Sequence, residues 1–287
     1  MKIQGKTALV TGASRGIGRA IAVEFAHQGI QRVLLVARNR AHLEEVAAEL
    51  TALGVEAIAI PLDLTQQAEV SVAIAQAWRD YGPIHILVNC AGVAHQASFL
   101  RSHLPTVQAE LDTNLMGMYA ITRQVARRMA ARQEGAIVNV SSLMGKIAAP
   151  TMATYSATKF AILGFTQALR GELAERQVQV MALLPSLTDT DMVQGLDRFR
   201  WMVRMTPQQV AQVLMTGLER DSPEIAVGWQ GHLAILANRV APWLTEMVVR
   251  WAAPVSHQWP WLDRWVQGFK QIMLDRQEAL RQSRSYL

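Results

Sequence analysis

Short runs of apolar residues alternate with helical patterns over the first 228 positions of the chain. Each run is bounded by glycine or polar residues, as is typical of a buried strand. Strands are predicted at 7–11, 32–37, 56–63, 84–92, 135–142, 178–185 and 224–228. Between them, apolar positions recur at helical spacing, for example over 41–52. This alternation predicts an α/β fold, in which a doubly wound parallel sheet of about seven strands carries helices on both faces.

The pattern changes after position 228, where a tryptophan-rich extension begins. Apolar residues over 233–251 recur at helical spacing, and a second helix is predicted over 261–284. We therefore divide the chain into a domain at 1–228 and a helical extension at 229–287. The apolar face of the extension has three possible partners, namely the domain itself, where it would form an extra layer over the pocket, another subunit and a membrane surface.

The composition limits where the protein is expected to act and which partners it is expected to bind. The single cysteine, Cys90, permits no internal disulfide and favours a reducing compartment. We expect a cytoplasmic protein without a signal peptide or a spanning helix, whose extension is the one segment suited to membrane association. The net charge of +5 comes without basic runs interleaved with aromatics, so nucleic acid is not an expected partner. The seven histidines are dispersed, which argues against a metal site.

A glycine-rich turn joins the first strand to a helical pattern, and such a turn binds anions through free backbone N–H groups and the helix dipole. The turn residues expected at a ligand are Gly12, Ser14, Arg15, Gly16, Ile17 and Gly18. The second strand ends at Arg38, where many dinucleotide-binding folds carry an acidic residue for the ribose hydroxyls. Because a guanidinium prefers a phosphate, Arg15 and Arg38 predict a clamp on a 2′-phosphate and therefore NADP(H) as cofactor.

A second group of candidate residues lies between the fifth and sixth strands. Tyr155 and Lys159 are one turn apart on a predicted helix, so they share a face. An ammonium close to a phenol favours the phenolate, which suits proton exchange near neutral pH. Ser142 ends the fifth strand, at the edge where an α/β sheet presents groups to a ligand. By itself, a tyrosine four residues from a lysine is also typical of a solvated helix surface.

Further motifs accompany these residues, and the full set is 11–18, Asp63, 89–92, Asn114, Ser142, Tyr155 and Lys159. In order and spacing the set resembles the short-chain dehydrogenase/reductase superfamily, in particular its members similar to 3-oxoacyl-carrier-protein reductase. The resemblance covers about residues 3–228. It implies a Rossmann-type domain, hydride transfer between NADP(H) and a carbonyl or secondary alcohol, and assembly as a homodimer or homotetramer.

The resemblance also implies a role for each residue. Tyr155 is expected to protonate the carbonyl oxygen, Lys159 to lower the tyrosine pKa and hold the nicotinamide ribose, and Ser142 to position the substrate oxygen. Asn114 is expected to hold a water that links Lys159 to solvent, to bond to backbone, or both. Beyond the turn and Arg38, the cofactor-binding residues are expected to be Asp63, Leu64, Asn89, Ala91, Gly92, Tyr155, Lys159, Thr188 and Thr190.

Segment 188–205 is expected to cover the substrate. Its large apolar residues are Met192, Leu196, Phe199, Trp201, Met202 and Met205. They predict an apolar ketone or 3-oxoacyl substrate, unless they only pack the segment onto the domain. Two positions depart from the family pattern, because Cys90 replaces the usual asparagine and Ser186 the usual glycine. The alternative function is a catalytically silent NADP-binding protein that its tail recruits to a partner or membrane.

Overall fold

The computed structural model describes residues 1–197, 199–200 and 202–254. Within these residues, seven parallel strands form one sheet in the order β3-β2-β1-β4-β5-β6-β7. The strands are β1 Thr7–Thr11, β2 Arg32–Ala37, β3 Glu56–Pro61, β4 Ile86–Asn89, β5 Gly135–Val140, β6 Val178–Leu184 and β7 Glu224–Ala226. The predicted doubly wound sheet is confirmed, although several strands are shorter than the apolar runs from which they were predicted.

Ten α-helices accompany the sheet in the described part of the chain. They are α1 Gly16–His27, α2 Arg40–Ala52, α3 Gln67–Tyr81, α4 Leu104–Leu111, α5 Met118–Arg132, α6 Ala153–Leu173, α7 Asp191–Gln194, α8 Pro207–Glu219, α9 Trp229–Val240 and α10 Pro242–Ala252. A π-helical segment, Asp112–Gly117, joins α4 to α5. The chain around Asn114 therefore forms two α-helices with a wider turn between them.

The sheet is buried on both faces, since successive residues of a strand point to opposite sides. In β1, Ala8 and Val10 pack with α1, α2 and α8, whereas Leu9 packs on the other side with α3 and α5. Both cores consist almost entirely of aliphatic side chains and Phe25. Because both faces of each strand are buried, the strands are continuous apolar runs and do not alternate between apolar and polar residues.

The strand order reverses beside β1, whose neighbours are β2 on one side and β4 on the other. In an open parallel sheet this reversal opens a crevice at the carboxyl ends of the strands, where ligands bind. Thr11 bridges the crevice, because its Oγ1 accepts hydrogen bonds from the backbone N–H groups of Cys90 and Ala91, each at 3.0 Å. The carboxyl ends of β1 and β4 are thus fixed relative to each other.

The extension begins with α9 and α10, which form two helices where the apolar spacing predicted one. Pro242 is the first residue of α10 and has no N–H to continue α9. Helix α9 packs onto the domain through Ile235, which contacts Leu163 and Leu184. The predicted helix over 261–284 lies outside the described residues. No helix within the described ranges is long and apolar enough to cross a membrane.

Gly117 allows the π-helical segment to approach the chain that follows β3. A Cβ atom at position 117 would lie 2.7 Å from the Cβ atom and 2.9 Å from the carbonyl oxygen of Leu64. We expect Gly117→Ala to lower the free energy of unfolding by about 1–3 kcal/mol, because backbone atoms must move to admit the methyl group. Urea-induced unfolding measures this loss.

Gly171→Ala is the matched control, because position 171 lies on α6 and a methyl group added there would have no atom within 4 Å. It should raise the free energy of unfolding by about 0.5–1 kcal/mol, since alanine restricts the unfolded chain more than glycine. A Gly117→Ala protein as stable as the wild type would contradict this account of the π-helical segment.

Candidate active site

A cavity of about 890 Å³ opens at the carboxyl ends of the strands, where the crevice beside β1 lies. It brings together most of the residues that the sequence singled out. Those that line it are Gly12, Ser14, Arg15, Gly16, Ile17, Gly18, Arg38, Asp63, Leu64, Ala91, Gly92, Ser142, Tyr155, Lys159, Thr188 and Thr190. The glycine turn and the Tyr155–Lys159 pair, which are about 140 residues apart in sequence, therefore share one space.

Gly12 lets the glycine turn pass close to the end of β4. Its backbone has a φ of +68°, and a side chain would place Cβ 2.9 Å from the N and Cα atoms of Ala91. Helix α1 begins at Gly16, and Arg15 precedes it in extended conformation. The first N–H groups of α1 thus have no helical acceptor, and the cavity reaches them. This arrangement fits the phosphates of a dinucleotide.

Gly92 leaves open space beside Asn114 and Lys159. A Cβ atom there would lie 3.2 Å from Oδ1 of Asn114 and 3.7 Å from Nζ of Lys159. Since Gly92 itself borders the cavity, a side chain at this position would fill the space next to the lysine ammonium. The residues present therefore fit both the diphosphate and the nicotinamide ring of such a cofactor.

Asn89 does not reach the cavity, contrary to the expectation that it binds cofactor. Its Nδ2 donates hydrogen bonds of 2.8 Å to Oγ1 of Thr122 on α5 and to Oδ1 of Asn139 on β5. The side chain is 4% exposed and stays beneath the sheet edge because buried amides need partners. Its place in the motif is explained by this network between β4, β5 and α5.

Asn114 lies in the π-helical segment directly behind Gly92, without lining the cavity. Its Oδ1 accepts from the N–H of Val93 at 2.8 Å, and its Nδ2 donates to the Val93 carbonyl at 2.9 Å. Nδ2 also donates to Oγ1 of Thr158 at 3.2 Å. Bonding to backbone, one of the two predicted roles, is present and holds the loop after β4 against α6.

Ser142 and Tyr155 face the cavity from two elements. Ser142 follows β5, and its Oγ accepts a hydrogen bond of 3.1 Å from the N–H of Met144. Burial raises the pKa of Tyr155 to about 12, and a hydrogen bond with the Ser142 side chain opposes the rise. The direction is opposite to the lowering predicted from the sequence. At neutral pH the phenol therefore keeps its proton.

Lys159 lies beside Tyr155, with its Nζ 5.4 Å from the centre of the phenol ring. The ammonium donates a 3.0 Å hydrogen bond to the carbonyl of Val140 at the end of β5. The side chain is buried, and burial lowers the pKa of Lys159 to about 8. In this pair the lysine is therefore the group that loses its proton at the lower pH.

The two arginines of the predicted phosphate clamp differ in their contacts. Arg38 is exposed at the end of β2, and it makes no ion pair with any described residue. Asn39 caps α2 by accepting a hydrogen bond from His42, so the chain turns immediately after Arg38. Arg15 instead pairs with Asp191 of α7, at 3.2 Å between Nη1 and Oδ2. Arg38 is thus the freer of the two cations.

Asp63 and Leu64 follow β3 and border the same end of the cavity. Oδ1 of Asp63 accepts hydrogen bonds from the N–H and the hydroxyl of Thr65, at 3.0 and 2.9 Å. These bonds fix the carboxylate at the end of the strand, leaving its second oxygen for a ligand.

The segment after β6 forms one wall of the cavity. Thr188 and Met205 pair as an isolated parallel bridge, which closes the segment into a loop. Ser186 has no positive φ, so serine fits the turn where the family usually has glycine. Of the apolar residues predicted to cover a substrate, Met205 packs against the core instead, and Trp201 lies outside the described residues. Those that line the cavity are Met192, Leu196, Phe199 and Met202.

Two further sets of residues belong to the site. The first lines the cavity from α9 and α10, and its apolar members include Leu233, Leu244 and Val248. Packing over the pocket was one of the three arrangements predicted for the extension, and helical spacing alone did not choose between them. The second, which the sequence analysis missed, is Glu110, a buried carboxyl one helical turn before Asn114. Its spacing from Asn114 was the only available signal.

Comparison with known proteins gives one consistent result. The model of the short chain dehydrogenase family matches residues 6–201. The 3-oxoacyl-[acyl-carrier-protein] reductase of a Synechocystis species is 37% identical over 195 residues, which are 68% of this chain and 79% of the relative.

Solved structures agree. A short chain dehydrogenase from Burkholderia cenocepacia, in complex with NADP, matches with a TM-score of 0.77 at 26% identity over 88% of this chain and 100% of its own. The 3-ketoacyl-(acyl-carrier-protein) reductase of Brucella melitensis, complexed with NADH, matches with a TM-score of 0.71 at 28% identity over 78% of this chain and 96% of its own. Both nicotinamide cofactors thus occur among similar proteins.

The bonds of Asn114 to Val93 give a testable prediction. Leucine has a similar size but would leave the N–H and carbonyl groups of Val93 without their partners. We expect Asn114→Leu to lower the free energy of unfolding by about 2–4 kcal/mol, measured by chemical denaturation. Thr158→Val, which removes only one partner of Asn114, should cost about 1 kcal/mol. Equal losses in the two variants would contradict the role assigned to Asn114.

Proposed function

The chain belongs to the short-chain dehydrogenase family of oxidoreductases, and we propose that it is an NADP(H)-dependent enzyme that interconverts a carbonyl group and a secondary alcohol. The observation that carries the proposal is the convergence of Ser142, Tyr155 and Lys159 with the glycine turn in one cavity. A protein that only binds a nucleotide needs the turn but not the three polar side chains. This argues against the catalytically silent alternative.

Reduction of a carbonyl adds a hydride at carbon and a proton at oxygen. The nicotinamide nucleotide supplies the hydride when it is bound. Tyr155, which is protonated at neutral pH because burial raises its pKa, donates its phenolic proton to the substrate oxygen. The hydroxyl of Ser142 donates a hydrogen bond to the same oxygen and orients it. In alcohol oxidation, each group reverses its role.

Lys159 and Asn114 then restore the proton of Tyr155. The ammonium of Lys159 stabilises the phenolate that remains and returns a proton to it. Oδ1 of Asn114 and Nζ of Lys159 lie within 3.2 and 3.7 Å of the same point beside Gly92. Since Oδ1 accepts a single hydrogen bond from the described residues, it retains a lone pair for a water that reconnects Lys159 to solvent.

The proposed preference for NADP(H) rests on the end of β2. No carboxylate stands at Ala37–Arg38 to accept ribose hydroxyls, and the Arg38 guanidinium is available for a 2′-phosphate. Arg15 contributes if it exchanges its ion pair with Asp191 for the phosphate. The backbone of the glycine turn would hold the diphosphate, with Thr188 and Thr190 lining the cavity beside it. Thr190 lies close to the turn, since a Cβ atom at position 16 would be 3.2 Å from its Cγ2.

The proposed substrate is an apolar ketone or a 3-oxoacyl compound. The wall formed by the segment after β6 carries Met192, Leu196 and Met202, and α9 adds Leu233. Methionine side chains adapt to varied apolar shapes. The 3-oxoacyl reductases among the relatives favour an acyl chain along this wall.

We further propose a homodimer or homotetramer that assembles through α5 and α6. Large apolar side chains remain exposed on this surface, including Tyr119 at 50% and Phe160 at 44%.

Helices α9 and α10 expose another apolar surface, with Trp229, Trp243 and Trp251 each more than 60% exposed. That surface favours the second candidate role for the extension, which is attachment to a partner or a membrane surface. A cytoplasmic location remains a prediction.

Tyr155→Phe tests the proposed chemistry. The variant retains the ring but cannot donate a proton, so turnover of a carbonyl substrate should fall by at least about 10³-fold. NADPH affinity, measured by fluorescence titration, should change less than about twofold, because the phenol ring is kept. Near-normal turnover by Tyr155→Phe would sink the assignment of Tyr155 as the acid.

Arg38→Asp tests the cofactor preference separately. A carboxylate at the end of β2 repels a phosphate and accepts ribose hydroxyls, so NADPH should bind about 10- to 100-fold more weakly while NADH binding is maintained or improved. Arg40→Asp is the matched control, since Arg40 instead pairs with Glu44 within α2. If the ratio of NADPH affinity to NADH affinity is the same in wild type and Arg38→Asp, Arg38 does not bind the 2′-phosphate.

A further inference from the structure

Glu110 is a buried carboxyl group to which the proposed chemistry assigns no role. It lies on α4 and is only 1% exposed. Withdrawing a carboxylate from water is costly unless charges or hydrogen-bond donors compensate. One helical turn later comes Asn114, so the two side chains face the same loop after β4.

The direct partner of Glu110 is His95 in that loop. Oε1 of Glu110 accepts a hydrogen bond from the His95 N–H at 3.4 Å, and Oε2 lies 3.8 Å from His95 Nδ1. The imidazole is 45% exposed, so the pair extends from the interior to solvent. Asn114 holds Val93 in the same loop, so two residues two positions apart are anchored to one helical surface. Gly92, which borders the cavity, immediately precedes these anchors.

The charged and titratable groups that act on Glu110 come from the loop and from α6. They are His95, Lys159 and Tyr155. Burial raises the pKa of Glu110 to about 7, while the His95 N–H and the Lys159 ammonium oppose the rise. In return, the negative carboxylate raises the pKa values of both Tyr155 and Lys159. Glu110 therefore acts electrostatically on the pair proposed to transfer the proton.

We propose that Glu110 is a positioning residue for this reaction, which anchors the loop after β4 through His95 and supplies a negative charge to the Tyr155–Lys159 pair. The inference rests on the proposed function, because it concerns the residues that handle the proton. Above neutral pH the carboxylate favours the protonated forms of tyrosine and lysine. It thus keeps Tyr155 ready to donate a proton when a carbonyl is reduced.

Glu110→Gln removes the charge but keeps an oxygen that can accept from the His95 N–H. The measurement is the pH profile of kcat/KM for alcohol oxidation, in which activity rises as the Tyr155–Lys159 pair loses its proton. Without the nearby negative charge, the Tyr155–Lys159 pair loses its proton more easily. The rise should therefore move to lower pH by about half a unit to one unit relative to wild type. A purely structural residue would change the height of the profile without moving it.

Three further variants complete the design. Glu175→Gln removes an equally negative but exposed side chain beyond the far end of α6, and should leave the profile unchanged. Glu110→Met gives an apolar side chain of similar length and should show the same shift, should Glu110→Gln fail to fold. Glu110→Asp retains the charge but shortens the reach to His95, so kcat/KM should fall while the rise stays near its wild-type pH.

The outcomes separate the two proposals. If wild type oxidises the alcohol with a pH-dependent rise, and neither Glu110→Gln nor Glu110→Met moves it, the role of Glu110 is overturned and the proposed function stands. If wild type neither reduces a carbonyl nor oxidises an alcohol, the proposed function fails and the inference fails with it. A shift in the Glu110 variants that is absent from Glu175→Gln supports the inference.

Discussion

The hydroxyl of Thr11 makes the contact on which the rest of the site depends. It accepts hydrogen bonds from two successive N–H groups after β4, and so joins the strands on either side of the crevice. Gly12 can follow at van der Waals distance from Ala91 only because it lacks a side chain. The glycine turn, the loop after β4 and the start of α1 are thereby placed around one cavity. Side chains from later in the chain, including Ser142, Tyr155 and Lys159, complete a frame that is already fixed at β1.

Burial dominates the electrostatics of this cavity. It raises the pKa of Tyr155 to about 12 and lowers that of Lys159 to about 8, so the two values, which are close together for free side chains, move apart. Glu110 adds a negative charge that partly restores the lysine and further protects the phenolic proton. At neutral pH the phenol therefore stays protonated. Burial and the neighbouring ionisable groups act on this balance together.

The sequence predicted the sheet well, because strands buried on both faces must be apolar throughout, and such runs are easily recognised between helical patterns. The spacing of Ser142, Tyr155 and Lys159 also singled them out, and they line one cavity in the structure. Other features depend on surroundings that spacing does not encode. The Asn89 side chain joins a hydrogen-bond network with α5 and β5, and the pKa of Tyr155 is raised, not lowered, because the whole fold determines its burial. For α9 and α10, spacing predicted helices but did not choose between the pocket, another subunit and a membrane surface as their partner.

The most direct test of the central claim is the fate of deuterium in NADPH labelled at both C4 hydrogens of the nicotinamide. The purified protein would be incubated with 3-oxoacyl thioesters and apolar ketones, and the product alcohols analysed by mass spectrometry. The account predicts one deuterium on the carbinol carbon, with none when Tyr155→Phe replaces the wild type. Tight NADPH binding without any deuterated alcohol would contradict it, and would favour a protein that binds the nucleotide without catalysis.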